Sequence, residues 1–209
     1  MTSNVHLVQT ADKVVMIDTG DPTELESIEE TIKDLGLKVD FAIVTHGHVD
    51  HAGNGKYFRE QYGIEIMGGR GDQSLFKEGT NGKICPTSGS ARIVQALATE
   101  SYDVFEPDIY VESELDLSEM GVKGNVTPMQ GHTEVFLVIQ IEDVLFVGDV
   151  LRGEPSGNTD PSIHFFQCDL AHNRRNISKL VSSYDCETWF TGNMGSVKKD
   201  AVVTLHKGQ

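Results

Sequence analysis

Thr45-His46-Gly47-His48-Val49-Asp50-His51 is the stretch on which the reading of this 209-residue chain turns. Three imidazoles and one carboxylate fall between positions 46 and 51, in a chain with 8 histidines in all. The run Phe41-Ala42-Ile43-Val44 just before it is continuously apolar and reads as a strand covered on both faces. The cluster therefore stands where the chain leaves a sheet. His46 and His48 are two residues apart, and on extended backbone such side chains point to one side. Asp50 and His51 then turn past the same spot. Neutral imidazole and carboxylate are donors that zinc, iron and manganese accept.

Working outward, the flanking sequence alternates strand and helix signals. Residues 5–8 and the β-branched run Val14-Val15-Met16-Ile17 predict strands, the second leading into an Asp18-Thr19-Gly20 turn. Asp21 is a good N-cap, Pro22 suits the first helical position and Glu24 stands where a capping box wants an acid. Leu25, Ile28, Ile32 and Leu35 follow a 3.6-residue period and predict one buried stripe, closed by Gly36. A short helix over 53–62 and a strand over 64–67 follow. This order argues for an α/β layered fold. Residues 68–108 are punctuated by glycines, with a candidate helix over 90–99, and read as a loop-rich wall over a site. Strands are expected at 109–111, 124–127, 135–141 and 144–147, the last two as a hairpin through Glu142-Asp143. A helix over 169–184 and a strand over 188–191 complete the pattern. No linker interrupts it, so a single domain over 1–209 is expected.

Composition narrows the partners. The 32 acidic and 17 basic residues leave a net charge of −15, which speaks against nucleic acid and anionic membranes, since both need surplus Lys and Arg. No apolar run approaches the roughly 18 residues of a membrane span. Met1 to Asn4 hold no basic segment leading into an apolar core, so no secretory leader is expected. Cys85, Cys168 and Cys186 form no CxxC pair, and an odd count without a leader reads as reduced thiols in a cytoplasmic protein. A small-molecule substrate is the expected partner, and a homo-oligomer is compatible with the sequence.

Two further motifs stand at strand ends, where ligand sites of layered α/β folds lie. They are Gly131-His132-Thr133 and Gly148-Asp149. With these in place the chain resembles the metallo-β-lactamase fold superfamily over nearly its whole length. The family's His-x-His-x-Asp-His signature is matched by His46, His48, Asp50 and His51, its Gly-His-Thr histidine by His132 and its bridging aspartate by Asp149. Asp18-Thr19-Gly20 matches the turn after the first long strand. The resemblance implies a four-layered αβ/βα sandwich of two mixed β-sheets flanked by helices, with the site at the sheets' common edge. It implies one metal held by His46, His48 and His132, and a second by Asp50 and His51, with Asp149 bridging. A hydroxide between the metals would attack the substrate, and Asp50 would manage a proton.

The pattern fails at one place. Most members carry another histidine after the last strand, where this chain has Gly192-Asn193-Met194-Gly195. An amide oxygen is a poor zinc ligand beside an imidazole. His164, Cys168, His172 and His206 are candidates for the missing donor. The departure keeps two alternatives open. One is the family's mononuclear iron persulfide dioxygenase, which would use His46, His132 and Asp149. The other is a non-catalytic metal-binding member. The expected activity is a metal-dependent hydrolase, zinc-loaded with one or two ions per chain (iron or manganese also suit the donors), acting on a thioester, lactone or related ester. Cys85 reads as an inert thiol. Arg152 and Arg174-Arg175 read as surface cations that an anionic substrate could meet. Tyr102, Phe105, Phe165 and Phe166 read as core residues that could also line a pocket, and His6 packs in the first strand.

Overall fold

A computed structural model describes residues 3–207. In chain order the first half runs β1 (His6–Gln9), β2 (Val14–Ile17), α1 (Leu25–Asp34), β3 (Phe41–Ile43), α2 (Val49–Ala52), α3 (Gly55–Tyr62), β4 (Glu65–Gly69), α4 (Gln73–Glu78), α5 (Gly89–Leu97) and β5 (Ile109–Val111). The second half runs β6 (Leu115–Asp116), β7 (Gly124–Met129), β8 (Phe136–Ile141), β9 (Val144–Gly148), β10 (Leu151–Arg152), β11 (Ser162–Ile163), α6 (Leu170–Ser183), β12 (Thr188–Thr191), β13 (Ser196–Lys198) and α7 (Lys199–Lys207).

The strands form two mixed sheets. One has the order β1-β2-β3-β4-β5, antiparallel at β1–β2 and parallel beyond. The other has the order β13-β12-β9-β8-β7-β6, parallel only at β12–β9. A separate two-stranded ribbon pairs β10 with β11.

The period-2 alternation of each strand sorts side chains into layers. In β2, Val15 and Ile17 face the second sheet, joining Phe41, Ile43, Leu137, Ile139 and Phe146 in a core between the sheets. Val14 and Met16 face the other way, with Ala42 and Ile66, onto Ile32 of α1, Phe58 of α3 and Phe76 of α4. On the far side, Val138, Leu145, Val147 and Trp189 pack against Ile177 and Leu180 of α6 and Val202 of α7. Helix, sheet, sheet, helix is the four-layered sandwich expected from the sequence. His6 packs as expected, with its ring 5.2 Å from both Phe146 and Phe190.

Local details depart from expectation. Asp21 caps a 3₁₀ turn at Pro22–Glu24, accepting from Thr23 N at 2.9 Å, and α1 begins only afterwards. Leu35 does not join the buried stripe. It is the C-cap, one residue past the last helical residue Asp34, and is 59% exposed. The wall at 68–108 holds α4 as well as the expected α5, and β6, β10, β11, β13 and α7 carried no recognisable periodic signal.

Candidate metal centre

The six residues singled out from the sequence come together. Beyond β3 the chain passes through Thr45 to His46 and His48, and α2 then carries Asp50 and His51. His132 comes from the connection between β7 and β8, and Asp149 from the end of β9. Asp50 is half-buried and the other five are buried. His48 Nδ1 lies 3.1 Å from both His46 Nε2 and His132 Nε2. Asp149 sits between this trio and His51: Oδ2 is 3.4 Å from His132 Nε2 and 3.8 Å from His46 Nε2, while Oδ1 is 3.5 Å from His51 Nε2. Asp50 Oδ2 is 3.7 Å from the same His51 nitrogen.

Outer partners aim these rings. His132 Nδ1 faces the Phe166 carbonyl at 3.0 Å, and His51 Nδ1 faces Asp18 Oδ2 at 2.8 Å. A carbonyl and a carboxylate only accept, so each Nδ1 carries the proton and each Nε2 presents its lone pair inward. His46 Nδ1 is 3.1 Å from Thr45 Oγ1, which itself donates to Asp18 at 2.9 Å and so must accept from the ring. Asp18 takes this role at a left-handed φ of 62°, which aspartate tolerates better than most residues.

This donor set fits metal. Lone pairs meeting at 3.1 Å repel unless an electrophile lies among them. Ligands at the zinc–nitrogen distance of about 2.0–2.1 Å, set tetrahedrally, are themselves about 3.3 Å apart. His51 Nε2 and Asp149 Oδ1 are both buried with no hydrogen-bond partner and face each other, as two ligands of one cation would.

The electrostatics agree. Burial pushes His48 down to about 3 and drives His46 and His132 well below the usual imidazole range, so all three rings are neutral at pH 7, the form that binds metal. Burial also acts to lower His51, but the carboxylates of Asp149, Asp18 and Asp50 outweigh it and hold that ring well above its usual value. A cation at His51 Nε2, a proton or a metal that displaces it, is thus favoured. Burial opposes ionisation of Asp149, yet His164, His51 and His132 keep its carboxyl well below the usual range. Burial, with Asp149 nearby, raises Asp50.

Of the four candidates for the missing donor, His164 alone reaches the centre. Its Nε2 is 3.1 Å from Asp149 Oδ2 and 2.8 Å from Asn193 Oδ1, and the side chain is buried. His172 lies in the first turn of α6, and His206 pairs with Ser178 Oγ at 2.9 Å. Cys168 is bonded to Cys85 in a disulfide, with Cα atoms 4.9 Å apart. The expectation of three reduced thiols is therefore wrong for two of them, and only Cys186 is free. The two partners stand 83 residues apart in sequence and meet because loop 83–88 runs beside strap 164–168, which no local motif reveals. The cysteine-based reason for a cytoplasmic location goes with it.

Asp72 and Asn81, which sequence reasoning missed, and Tyr102, which it read as core or pocket lining, support the motif from outside. Asp72 accepts from Gly47 N at 2.9 Å and from Val135 N at 3.1 Å, tying the His46–His48 turn to the segment after His132. Tyr102 Oη donates to the Gly47 carbonyl at 3.0 Å, and Asn81 Oδ1 accepts from Val49 N at 2.8 Å. For Asp72 and Asn81 the only sequence signal was an acid or amide beside glycine. Gly47 itself is dictated by packing, since a Cβ there would lie 2.6 Å from Leu75 Cβ. Phe105 is core, Phe166 lines the cleft, and Arg152 stacks on Phe165 with its guanidinium carbon 4.4 Å from the ring centre.

The centre opens into a narrow cleft, with a cavity volume of about 30 Å³, walled by Ile84, Val94, Ala98 and Phe166, with Asp21 and Asp50 at its polar side. No helix among the described residues is long and apolar enough to cross a membrane.

Two expected results follow from the outer partners. Asp18→Asn removes the carboxylate behind His51 and should lower metal affinity and turnover by roughly 10–100-fold, the usual cost of losing such a partner; equilibrium dialysis and steady-state rates check it. Asp72 supplies a pH dependence. Burial raises its carboxyl to about 6, against the pull of the Gly47 and Val135 amides. The folded pKa lies above the ordinary 3.8, so the stabilising contribution is complete below about pH 4 and is lost as pH rises through about 6. Between pH 4 and 7 the stability of the wild type relative to Asp72→Asn should fall by about 3 kcal/mol at most in denaturant melts. A difference independent of pH would exclude this titration.

The metallo-beta-lactamase superfamily model matches residues 1–183 of this chain. The chain is 28% identical over 162 residues to the hydroxyacylglutathione hydrolase GloC of Haemophilus influenzae, covering 75% of this chain and 70% of that one. The crystal structure of TTHA1623 in a di-iron-bound form is similar with a TM-score of 0.71 at 20% identity, over 96% of this chain and 92% of that one. The BLEG-1 B3 metallo-beta-lactamase gives 0.70 at 20% identity, over 97% and 91%. At such identity the two structures speak for the fold.

Proposed function

Because this chain belongs to the metallo-beta-lactamase superfamily and is a metal-dependent hydrolase, we propose that it cleaves a small ester-type substrate, a thioester or lactone, at its His/Asp centre. The observation that carries this reading is the convergence of His46, His48, His51, His132 and Asp149 on one buried point that opens into a cleft. His46, His48 and His132 would hold one metal, Asp50 and His51 a second, and Asp149 would serve both. Zinc suits this mixture of imidazole and carboxylate, and so do iron and manganese. Metal bound there lowers the pKa of water and polarises the scissile carbonyl.

The chain's own residues do the rest. Asp18, Thr45 and the Phe166 carbonyl hold the ring tautomers, so no imidazole must reorganise during turnover. Asp50 stands at the mouth, less buried than its neighbours, and its raised pKa suits a carboxylate that accepts a proton at Oδ2 and passes it to the leaving sulfur or oxygen. Ile84, Val94, Ala98 and Phe166 exclude water from an apolar acyl group. No Lys or Arg is among the residues lining the cleft, which favours an uncharged acyl centre over a phosphodiester. The similarity to a hydroxyacylglutathione hydrolase points to thioesters first.

A panel of thioesters, lactones and phosphodiesters, assayed with wild type and Asp50→Asn, tests the reading. Thioester or lactone turnover that falls at least about 100-fold in the variant is expected. Turnover of phosphodiesters alone, oxygen uptake with a persulfide, or unchanged rates in Asp50→Asn would overturn it.

A further inference from the structure

We propose that the Cys85–Cys168 disulfide is a thiol-exchange site that latches a lid, residues 82–99, over the metal centre, and that a small thiol opens it. Its effect on turnover rests on the metal-hydrolase reading above, whereas the latch itself does not.

The narrow cleft does not admit an acyl group as it stands. Its volume of about 30 Å³ holds about one or two waters. Ile84, Val94 and Ala98 wall it from segment 82–99, and Phe166 walls it from strap 164–168. Substrate therefore reaches the centre only if segment and strap part.

Segment 82–99 is built as a lid. At its base Thr80 and Ser101 form an antiparallel bridge, Tyr102 N donates to the Gly79 carbonyl at 2.9 Å and Asn81 Nδ2 to the Thr99 carbonyl at 3.1 Å, so the two ends lie side by side. Gly82 starts the excursion at a left-handed φ of 58°. Between the ends, α5 is lightly seated. Ala91 alone of its residues is buried, and Ile93 and Leu97 are 65% and 78% exposed. Among the described residues no hydrogen bond ties 88–98 to another element.

The lid is fastened at 85–87. Gln167 N donates to the Cys85 carbonyl at 2.9 Å and Thr87 N to the Phe165 carbonyl at 2.8 Å, and the disulfide adds a covalent tie. The strap has its own hold on the centre. His132 Nδ1 donates to the Phe166 carbonyl at 3.0 Å, Gln167 Nε2 to the Asp149 carbonyl at 2.8 Å, and Phe166 N to His164 Nδ1 at 3.2 Å. That last bond puts the His164 proton on Nε2, facing Asn193 Oδ1 at 2.8 Å and Asp149 Oδ2 at 3.1 Å. The strap therefore stays with the metal ligands, and the lid is the part that moves. Once the disulfide is reduced, the lid tip keeps only the hydrogen bonds of Cys85 and exposed Thr87, which open locally far more readily than a covalent bond.

The chemistry is ordinary exchange. Cys168 is exposed and Cys85 half-buried, so an incoming thiolate meets Cys168 Sγ. Attack there forms a mixed disulfide, breaks the bond to Cys85 and expels Cys85 as a thiolate that takes up a proton. A second thiol attacks the outer sulfur, departs with it as the small disulfide and releases Cys168, which is protonated in turn. Two thiols are oxidised to one disulfide, and the protein gains two electrons and two protons. Cleavage of a thioester at the centre itself releases a thiol of this class.

The test compares the metal-loaded wild type, air-oxidised or reduced with glutathione and desalted, with Cys168→Ser. Alkylation under denaturing conditions should count one thiol, Cys186, before glutathione and three after it. Reduction should speed amide exchange over 84–99 at least about 10-fold, leave β3 and β9 unchanged, and raise kcat/KM for the ester by a similar factor. Cys168→Ser should show the faster exchange and higher turnover without glutathione and no response to it; if that variant fails to fold, the two states of the wild type decide. A disulfide that glutathione leaves intact, lid exchange equal in both states, a kcat/KM that does not rise with faster exchange, or a glutathione response that persists in Cys168→Ser would overturn the proposal. Faster lid exchange on reduction, with no ester turned over in either state, would overturn the hydrolase reading and leave the latch standing.

Discussion

Asp149→Asn should cut kcat/KM by at least about 10³-fold, roughly 4 kcal/mol of lost transition-state stabilisation, and should leave the purified protein depleted of metal. The side chain is 3% exposed and its two oxygens are the common neighbours of four imidazoles, His51 on one side and His46, His132 and His164 on the other. Asparagine keeps the shape and one oxygen but removes the charge. The rings then lose the anion that makes a cation favourable at both positions. Because volume is conserved, the metal-free variant should still melt cooperatively, so a loss of activity can be separated from a loss of fold. Metal analysis, rates and a thermal melt on the same preparation check all three. Activity within tenfold of wild type, with metal retained, would mean that the reacting site lies elsewhere.

Removing metal should produce the other large effect. A ligand that binds only the folded chain stabilises it by RT ln(1 + [L]/Kd), about 4.1 kcal/mol at a thousand times Kd. For a chain of this length each kcal/mol moves Tm by about 2–4 °C, so each filled site should raise Tm by roughly 8–16 °C at that saturation. Without metal, His48 Nδ1 can donate a proton to only one of His46 Nε2 and His132 Nε2, and His51 Nε2 and Asp149 Oδ1 stay buried without partners. Chelation should therefore abolish hydrolysis and lower Tm together, and zinc should restore both. If zinc restores Tm without restoring rate, the native metal is another of those the donors accept, and iron and manganese are tried next.

How much of this was legible in the sequence depends on the range of each interaction. The alternation of Val14, Val15, Met16 and Ile17 between two cores is a local property of extended backbone, and so is the β8–β9 hairpin. Asp169, accepting from His172 N at 2.8 Å, caps α6 by contacts within one turn. The short strands β6, β10, β11 and β13 were not legible, because two or three residues carry no period and exist as strands only through their partners.

The site divides in the same way. From His46 to His51 the donors are neighbours in the chain, and the strand before them sets their direction, so sequence determined that part of the centre. It also marked His132 and Asp149 as strand-end residues. It did not decide among His164, Cys168, His172 and His206, nor did it reveal the disulfide or the role of Asp72. Those depend on which distant loops lie side by side. Pairing of 83–88 with 164–168 brings Cys85 to Cys168 and turns His164 inward, while α6 and α7 hold His172 and His206 elsewhere. Chain spacing says nothing about such meetings, because the energy that selects them comes from packing two sheets and their helices into one set of layers.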